Sequence, residues 1–118
     1  MRFWDASAIV PLIVREAQTP LVRRWLAADA DVALWALTRV ELASAIERRT
    51  RDGSLDVAQR RMALADVRRL ADDAHEVTDL SSVRARATAA LARHALRAAD
   101  ALQLGAALVL ADPDPTAW

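Results

Sequence analysis

Hydrophobic positions along the chain change period several times, and each change marks an element. Phe3-Trp4 form a short apolar run that stops at Asp5, after which Ala6, Ala8, Ile9 and Val10 open a helix expected over 6–15, with Pro11 tolerated near its start. Thr19-Pro20 reads as an N-cap followed by Pro at the first helical position, and Leu21, Val22, Trp25 and Leu26 then share one face while Arg23 and Arg24 point away. Asp29-Ala30-Asp31 ends that helix, and Val32-Ala33-Leu34-Trp35-Ala36 is an uninterrupted apolar run of the kind that makes a fully buried strand. Thr38 starts a third helix, expected to carry Val40, Leu42, Ala43 and Ile46 inward and to end in Arg48, Arg49 and Arg51 before Gly53. A fourth helix over 55–73 sets Ala63, Val67, Leu70 and Ala74 along one stripe and Arg60, Arg61, Arg68 and Arg69 on the other side.

The second half is more helical. Residues 75–78 carry a third, weak strand signal in Val77, and Ser81 or Ser82 is expected to cap a fifth helix with Val83, Ala87 and Ala90 inward. From Val83 to Leu110 there is no proline and one glycine, so propensity alone draws a helix longer than globular domains use, and a break is expected near His94 to Ala98. The stretch from Ala98 to Leu110 is apolar on almost every face, as expected of a helix buried inside the domain, and Asp112-Pro113-Asp114-Pro115 reads as a loop. A strand, two helices and a second strand make an opening that points to a parallel sheet in an α/β fold, with residues 1–118 as a single domain.

Composition narrows the function classes. The chain is 54% hydrophobic and 27% charged, which excludes a disordered or fibrous protein. Its formal charge is zero, with 16 basic residues, all arginine, against 16 acids, so any case for nucleic acid has to come from local clustering. With no cysteine, disulfides, thiolate zinc sites and thiol nucleophiles are excluded. Two glycines cannot build a phosphate-cradling loop, no nucleophile-elbow sequence is present, and no apolar run is long enough for a membrane span. No processed signal peptide is evident, and a cytoplasmic protein without membrane association is expected.

Three acids remain. Asp5, Glu41 and Asp100 each stand near the first turn of an expected helix, and the first two follow apolar runs directly. In a parallel sheet the strand C-termini and the following helix N-termini share one edge, where ligands bind. Three carboxylates gathered there would repel one another unless a hard divalent cation such as Mg²⁺ or Mn²⁺ offset them. Each acid also has a structural reading: Asp5 as an N-cap, Glu41 as the far end of a capping box with Thr38, and Asp100 facing the positive end of its helix dipole.

Phe3-Trp4-Asp5-Ala6-Ser7-Ala8, Thr38-Arg39-Val40-Glu41-Leu42-Ala43-Ser44-Ala45 and Leu96-Arg97-Ala98-Ala99-Asp100-Ala101-Leu102-Gln103-Leu104 resemble, in order, three motifs of the PIN-domain ribonucleases. The third is closest to the VapC-type toxins of type II toxin–antitoxin pairs. The resemblance implies a three-layer α/β/α sandwich on a central parallel sheet and a Mg²⁺-dependent endoribonuclease toxin inhibited by a cognate antitoxin protein. It carries metal binding onto Asp5 and Asp100, catalytic roles onto Asp5, Glu41 and Asp100, and a homodimer onto the assembly, with RNA as substrate. In the family a further strand bearing a fourth acid follows the Asp100 helix; this chain stops at Trp118, about where that strand would begin, and Asp112 and Asp114 are poor substitutes. The rival expectation is a non-catalytic interaction module, antitoxin-binding or dimerising, with an incomplete site.

Other charged residues carry less. The clusters Arg48-Arg49-Arg51 and Arg60-Arg61 either guide RNA phosphates or simply solvate helix faces. His75 and His94 lack metal-ligand spacing, and His94 continues the Val83, Ala87, Ala90 stripe, so it is expected to pack at a core or interface.

Overall fold

The computed structural model describes residues 1–111, so the loop expected at 112–115 and Trp118 lie outside the described residues. Three strands, β1 (Arg2–Phe3), β2 (Val32–Trp35) and β3 (His75–Val77), run parallel in the order β1, β2, β3. Arg2 pairs with Val32 and Phe3 with Ala33, while Ala33, Leu34 and Trp35 pair with His75, Glu76 and Val77. The ladder extends past the strand ends through Trp4 N–H to the Ala33 carbonyl at 2.9 Å and Ala36 N–H to the Val77 carbonyl at 3.0 Å.

Alternation along β2 sends side chains to two cores. Val32 and Leu34 join Trp4, Ile9, Val22, Leu42, Ile46, Val67 and Ala71 on one face, which is covered by helices α1 (Ala6–Ile13), α2 (Thr19–Ala28), α3 (Thr38–Arg51) and α4 (Val57–Asp73). Trp35 meets Val77, Val83 and Ala106 on the other, beneath α5 (Leu80–Arg93) and α6 (Ala98–Ala111). A central parallel sheet with a helical layer on each face is the α/β/α arrangement expected of the sequence. The break between α5 and α6 falls at 94–97, inside the expected interval.

Several local expectations need correction. Thr19 does not cap α2; it is buried inside the first turn, where its Oγ1 donates to the Pro11 carbonyl at 2.7 Å and accepts from Glu16 N–H at 2.8 Å, fastening the end of α1 to the start of α2. α4 starts two residues later than expected because Asp56 caps it, exchanging hydrogen bonds with Gln59 in a complete capping box. Asp79, not Ser81 or Ser82, caps α5: its carboxylate accepts Ser82 N–H at 3.1 Å and the Ser82 hydroxyl at 2.8 Å.

Burial also differs from the pattern at three places. Val40 is 66% exposed, because Thr38, Leu42 and Ile46 form the buried face of α3. α6 is not buried all round: Ala101, Gln103, Gly105 and Ala106 face inward while Asp100 and Leu104 face out, since the helix forms an outer layer of the sandwich. His94 is exposed at the C-cap of α5 and so not packed in the core of this chain, because helical geometry ends there and the buried stripe stops at Ala90.

Candidate active site

Asp5 is placed by its neighbour. Trp4 is buried in the first core and fixes the end of β1, so the next residue emerges at the sheet edge as α1 begins. Asp5 occupies the N-cap position in extended geometry, yet its carboxylate accepts no backbone N–H of α1. It accepts the Ser7 hydroxyl instead, at 3.0 Å. The side chain is exposed, so the fold presents it to solvent rather than forcing it to find a buried partner. The side-chain capping reading therefore fails for Asp5.

It fails for Glu41 as well. The N-cap of α3 is Leu37, no side chain caps the helix, and Thr38 is completely buried. Glu41 turns away from its own helix start towards α6, where its Oε1 accepts the Gln103 side-chain amide at 2.8 Å. The same amide donates to Thr38 Oγ1 at 3.2 Å. Burial is the main cause that raises the Glu41 carboxyl above its ordinary value; the Gln103 hydrogen bond opposes it, and the charges of Asp5 and Asp100 add to it. Glu41 thus lies in the field of both other acids, so elements distant in sequence converge on one end of the sheet.

Asp100 sits in the first turn of α6, exposed, at the dipole's positive end. α6 packs on β2 and β3, and Asp100 lies near enough to Glu41 for its charge to act on that carboxyl.

Ser7 and Glu41 also line a groove of about 760 Å³ between α1 and α3. Farther along, its walls are Val10, Ser44, Arg48, Arg49, Glu16 and Asp52. The arginine clusters divide here. Arg49 is ion-paired with Glu16 across the groove and ties α3 to the connection between α1 and α2, while Arg60 holds Glu47 at 2.6 Å and ties α4 to α3. Arg39, within the second motif, bridges Glu76 at 2.8 Å and Asp72 at 2.9 Å. Arg48 lines the groove and is exposed.

The donor set is all oxygen: three carboxylates and the Ser7 hydroxyl beside one of them. That chemistry fits a hard divalent cation, and mutual repulsion is the penalty such an ion would relieve. Among the described residues, no group of three or more His, Asp or Glu side chains is drawn together tightly enough to hold a metal ion. The acids share a field without forming a closed coordination set.

Gln103 is the residue that the sequence pattern passed over. It is the single polar side chain between Ala101 and Leu110 and falls one helical turn after Asp100, so it was marked by an interruption in an apolar run. No helix of the described residues is long and apolar enough to cross a membrane.

No curated protein matches the chain significantly. The family model of the PIN domain matches residues 2–113, a span that holds all three acids, both helical layers and the strand ends between them, and the chain belongs to this family, whose members are generally nucleases that typically use divalent metal ions.

Proposed function

We propose that this PIN domain is a Mg²⁺-dependent endoribonuclease and the toxin of a toxin–antitoxin pair. The observation that carries the reading is Glu41, held by α6 within the field of Asp5 and Asp100 rather than used to cap its own helix. Asp5 and Asp100 would hold the cation, Mg²⁺ or in its place Mn²⁺. When bound, such an ion offsets the carboxylate charge, polarises a phosphate ester and makes a water more acidic. Glu41 sets the charge of the site and orients the attacking water by hydrogen bonding. Arg48 offers the groove a guanidinium for the RNA backbone, where phosphate contacts set register rather than sequence.

The partners follow from the same reading. A cognate antitoxin would enter the groove and place a basic side chain against the acids, so its binding competes with Mg²⁺. Trp25 is 43% exposed, and Val57 and Met62 stand out from α4, apolar surface available to the antitoxin or to a second copy in a cytoplasmic homodimer. A non-catalytic interaction module is not favoured, because PIN domains are generally nucleases.

The test compares thermal unfolding of the parent, Asp5→Asn, Glu41→Gln and Asp100→Asn, with and without Mg²⁺, beside RNA cleavage in Mg²⁺ and in EDTA. Glu41→Gln removes a part-buried charge and leaves the chain at least as stable as the parent without metal, and each of the three variants loses much of the stabilisation that Mg²⁺ gives. Cleavage falls most for Asp5→Asn and Asp100→Asn and stops in EDTA. Parent-like Mg²⁺ response and cleavage in all three variants would overturn the reading.

A further inference from the structure

Gln103 is 4% exposed on α6, on a face otherwise made of Ala101, Gly105 and Ala106. Its amide nitrogen reaches across to α3 and donates to both Thr38 Oγ1 at 3.2 Å and Glu41 Oε1 at 2.8 Å, using both of its protons. Its own carbonyl oxygen is buried with no hydrogen-bond partner among the described residues. A buried acceptor left unmade costs stability; an aliphatic side chain of similar volume would remove that oxygen, but only by leaving Thr38 Oγ1 and Glu41 Oε1 without their donor. An ionised carboxylate accepts only, so the amide must present its nitrogen to Glu41, and that orientation is what strands the oxygen. The chain therefore carries a packing disadvantage at a spot whose one evident return is the placement of Glu41. Thr38, completely buried, locks the amide from the other side.

We infer that Gln103 is a positioning residue: anchored by Thr38, it holds the Glu41 carboxylate in one orientation at the acid end of the groove. The inference rests on the nuclease reading for its catalytic consequence, but not for its geometry. It separates the roles of two residues one helical turn apart on α6. Asp100 faces solvent at the site, and Gln103 acts from within the core on a carboxylate of α3.

The experiment has one arm that needs no variant and one that needs no activity. In the parent chain, the side-chain amide protons of Gln103 should exchange with water far more slowly in NMR than those of Gln18 and Gln59, whose residues are exposed. Exchange as fast as theirs would overturn the inference. Gln103→Met keeps length and apolar volume and removes both donors. Because Thr38 Oγ1 and Glu41 Oε1 lose their donor, its unfolding temperature should fall modestly, while kcat for RNA cleavage, measured well below both unfolding temperatures, falls about 10- to 100-fold, the usual loss when an orienting partner is removed, with KM unchanged. A rise in KM alone, or a loss of activity that only tracks a loss of stability, would overturn it. Crystal structures of parent and variant complete the test: Glu41 should keep a single rotamer in the parent and leave it in Gln103→Met. If the parent cleaves no RNA, the nuclease reading fails, and the Glu41 rotamer and the amide exchange still decide the positioning role.

Discussion

Glu41 has two structural uses open to it, and the fold takes neither the one nearest in sequence nor the cheapest in solvation. A capping bond back to Thr38 would have left its carboxylate hydrated at the helix start; instead it is part-buried against α6 beside two like charges. This has a consequence for stability. The folded chain holds the Glu41 proton more tightly than the unfolded chain, in which the carboxyl keeps its ordinary value of 4.5. Native protein therefore binds more protons than unfolded protein in the window above that value, so stability from this group is complete below it and is lost as pH rises through the raised folded value. Glu41→Gln has no such loss. Without divalent cation, the unfolding temperature of Glu41→Gln relative to the parent should climb as pH rises above 4.5 and then level off; a difference independent of pH would show that burial and the neighbouring charges do not act on Glu41. Asp5 and Glu41 stood out in sequence because strand-to-helix junctions carry a local signature, and Asp100 because its helix is otherwise almost wholly apolar. Their partners were not: Gln103 is 62 residues from Glu41, and no local pattern specifies which distant helix face will meet an acid.

At the scale of elements, periodicity located both layers, and the errors cluster where two residues competed for one task. Asp79 displaced Ser82 as the cap of α5 because its carboxylate accepts both the backbone N–H and the hydroxyl that Ser82 offers. Thr19 was drawn from capping by the free carbonyl of Pro11, a tertiary demand invisible in a helical wheel. α6 looked buried on all sides because small residues score as apolar, whereas here they serve closeness. A Cβ at Gly105 would stand 2.8 Å from the Val83 carbonyl oxygen and 3.0 Å from the Ala87 nitrogen, backbone atoms of α5 that cannot swing aside. Two effects then oppose each other in Gly105→Ala. Helix propensity favours alanine by about 1 kcal/mol, while overpacking costs about 1–3 kcal/mol. Contact with rigid backbone puts the second effect at the upper end of its range, so Gly105→Ala should lower the urea midpoint by shifting α5 from α6, with the slope of the transition unchanged. A midpoint above the parent's would mean that the two helices tolerate a wider spacing and that glycine is not needed there.

At the scale of the whole molecule, the sheet divides the chain into two cores and leaves its acid end open beside a groove that α1 and α3 wall in. Charge is mixed along that groove: Glu41 lines it at the start of α3, and the Arg49–Glu16 pair, Arg48 and Asp52 line it farther along. A chain of zero formal charge can thus attract a polyanion only through such local placement, and the neighbouring arginines of one cluster must differ in what they do. Arg49 is engaged in an ion pair with Glu16 on the segment between α1 and α2, so its guanidinium closes the fold around the groove. Arg48 is exposed on the groove wall, where a phosphate can reach it without breaking a protein contact. Arg48→Ala should therefore weaken binding of single-stranded RNA of any sequence and lower the slope of log affinity against log salt by about 0.7, the value of one phosphate contact on a single strand. Its unfolding temperature should match the parent's. Arg49→Ala should do the reverse, lowering the unfolding temperature because Glu16 loses its partner, with a salt slope close to the parent's. RNA titrations over a range of salt, paired with thermal unfolding of both variants, check the division. Equal slopes for parent and Arg48→Ala would remove Arg48 from the RNA path, and a lower slope for Arg49→Ala would mean that the nucleic acid breaks the Glu16 pair to bind.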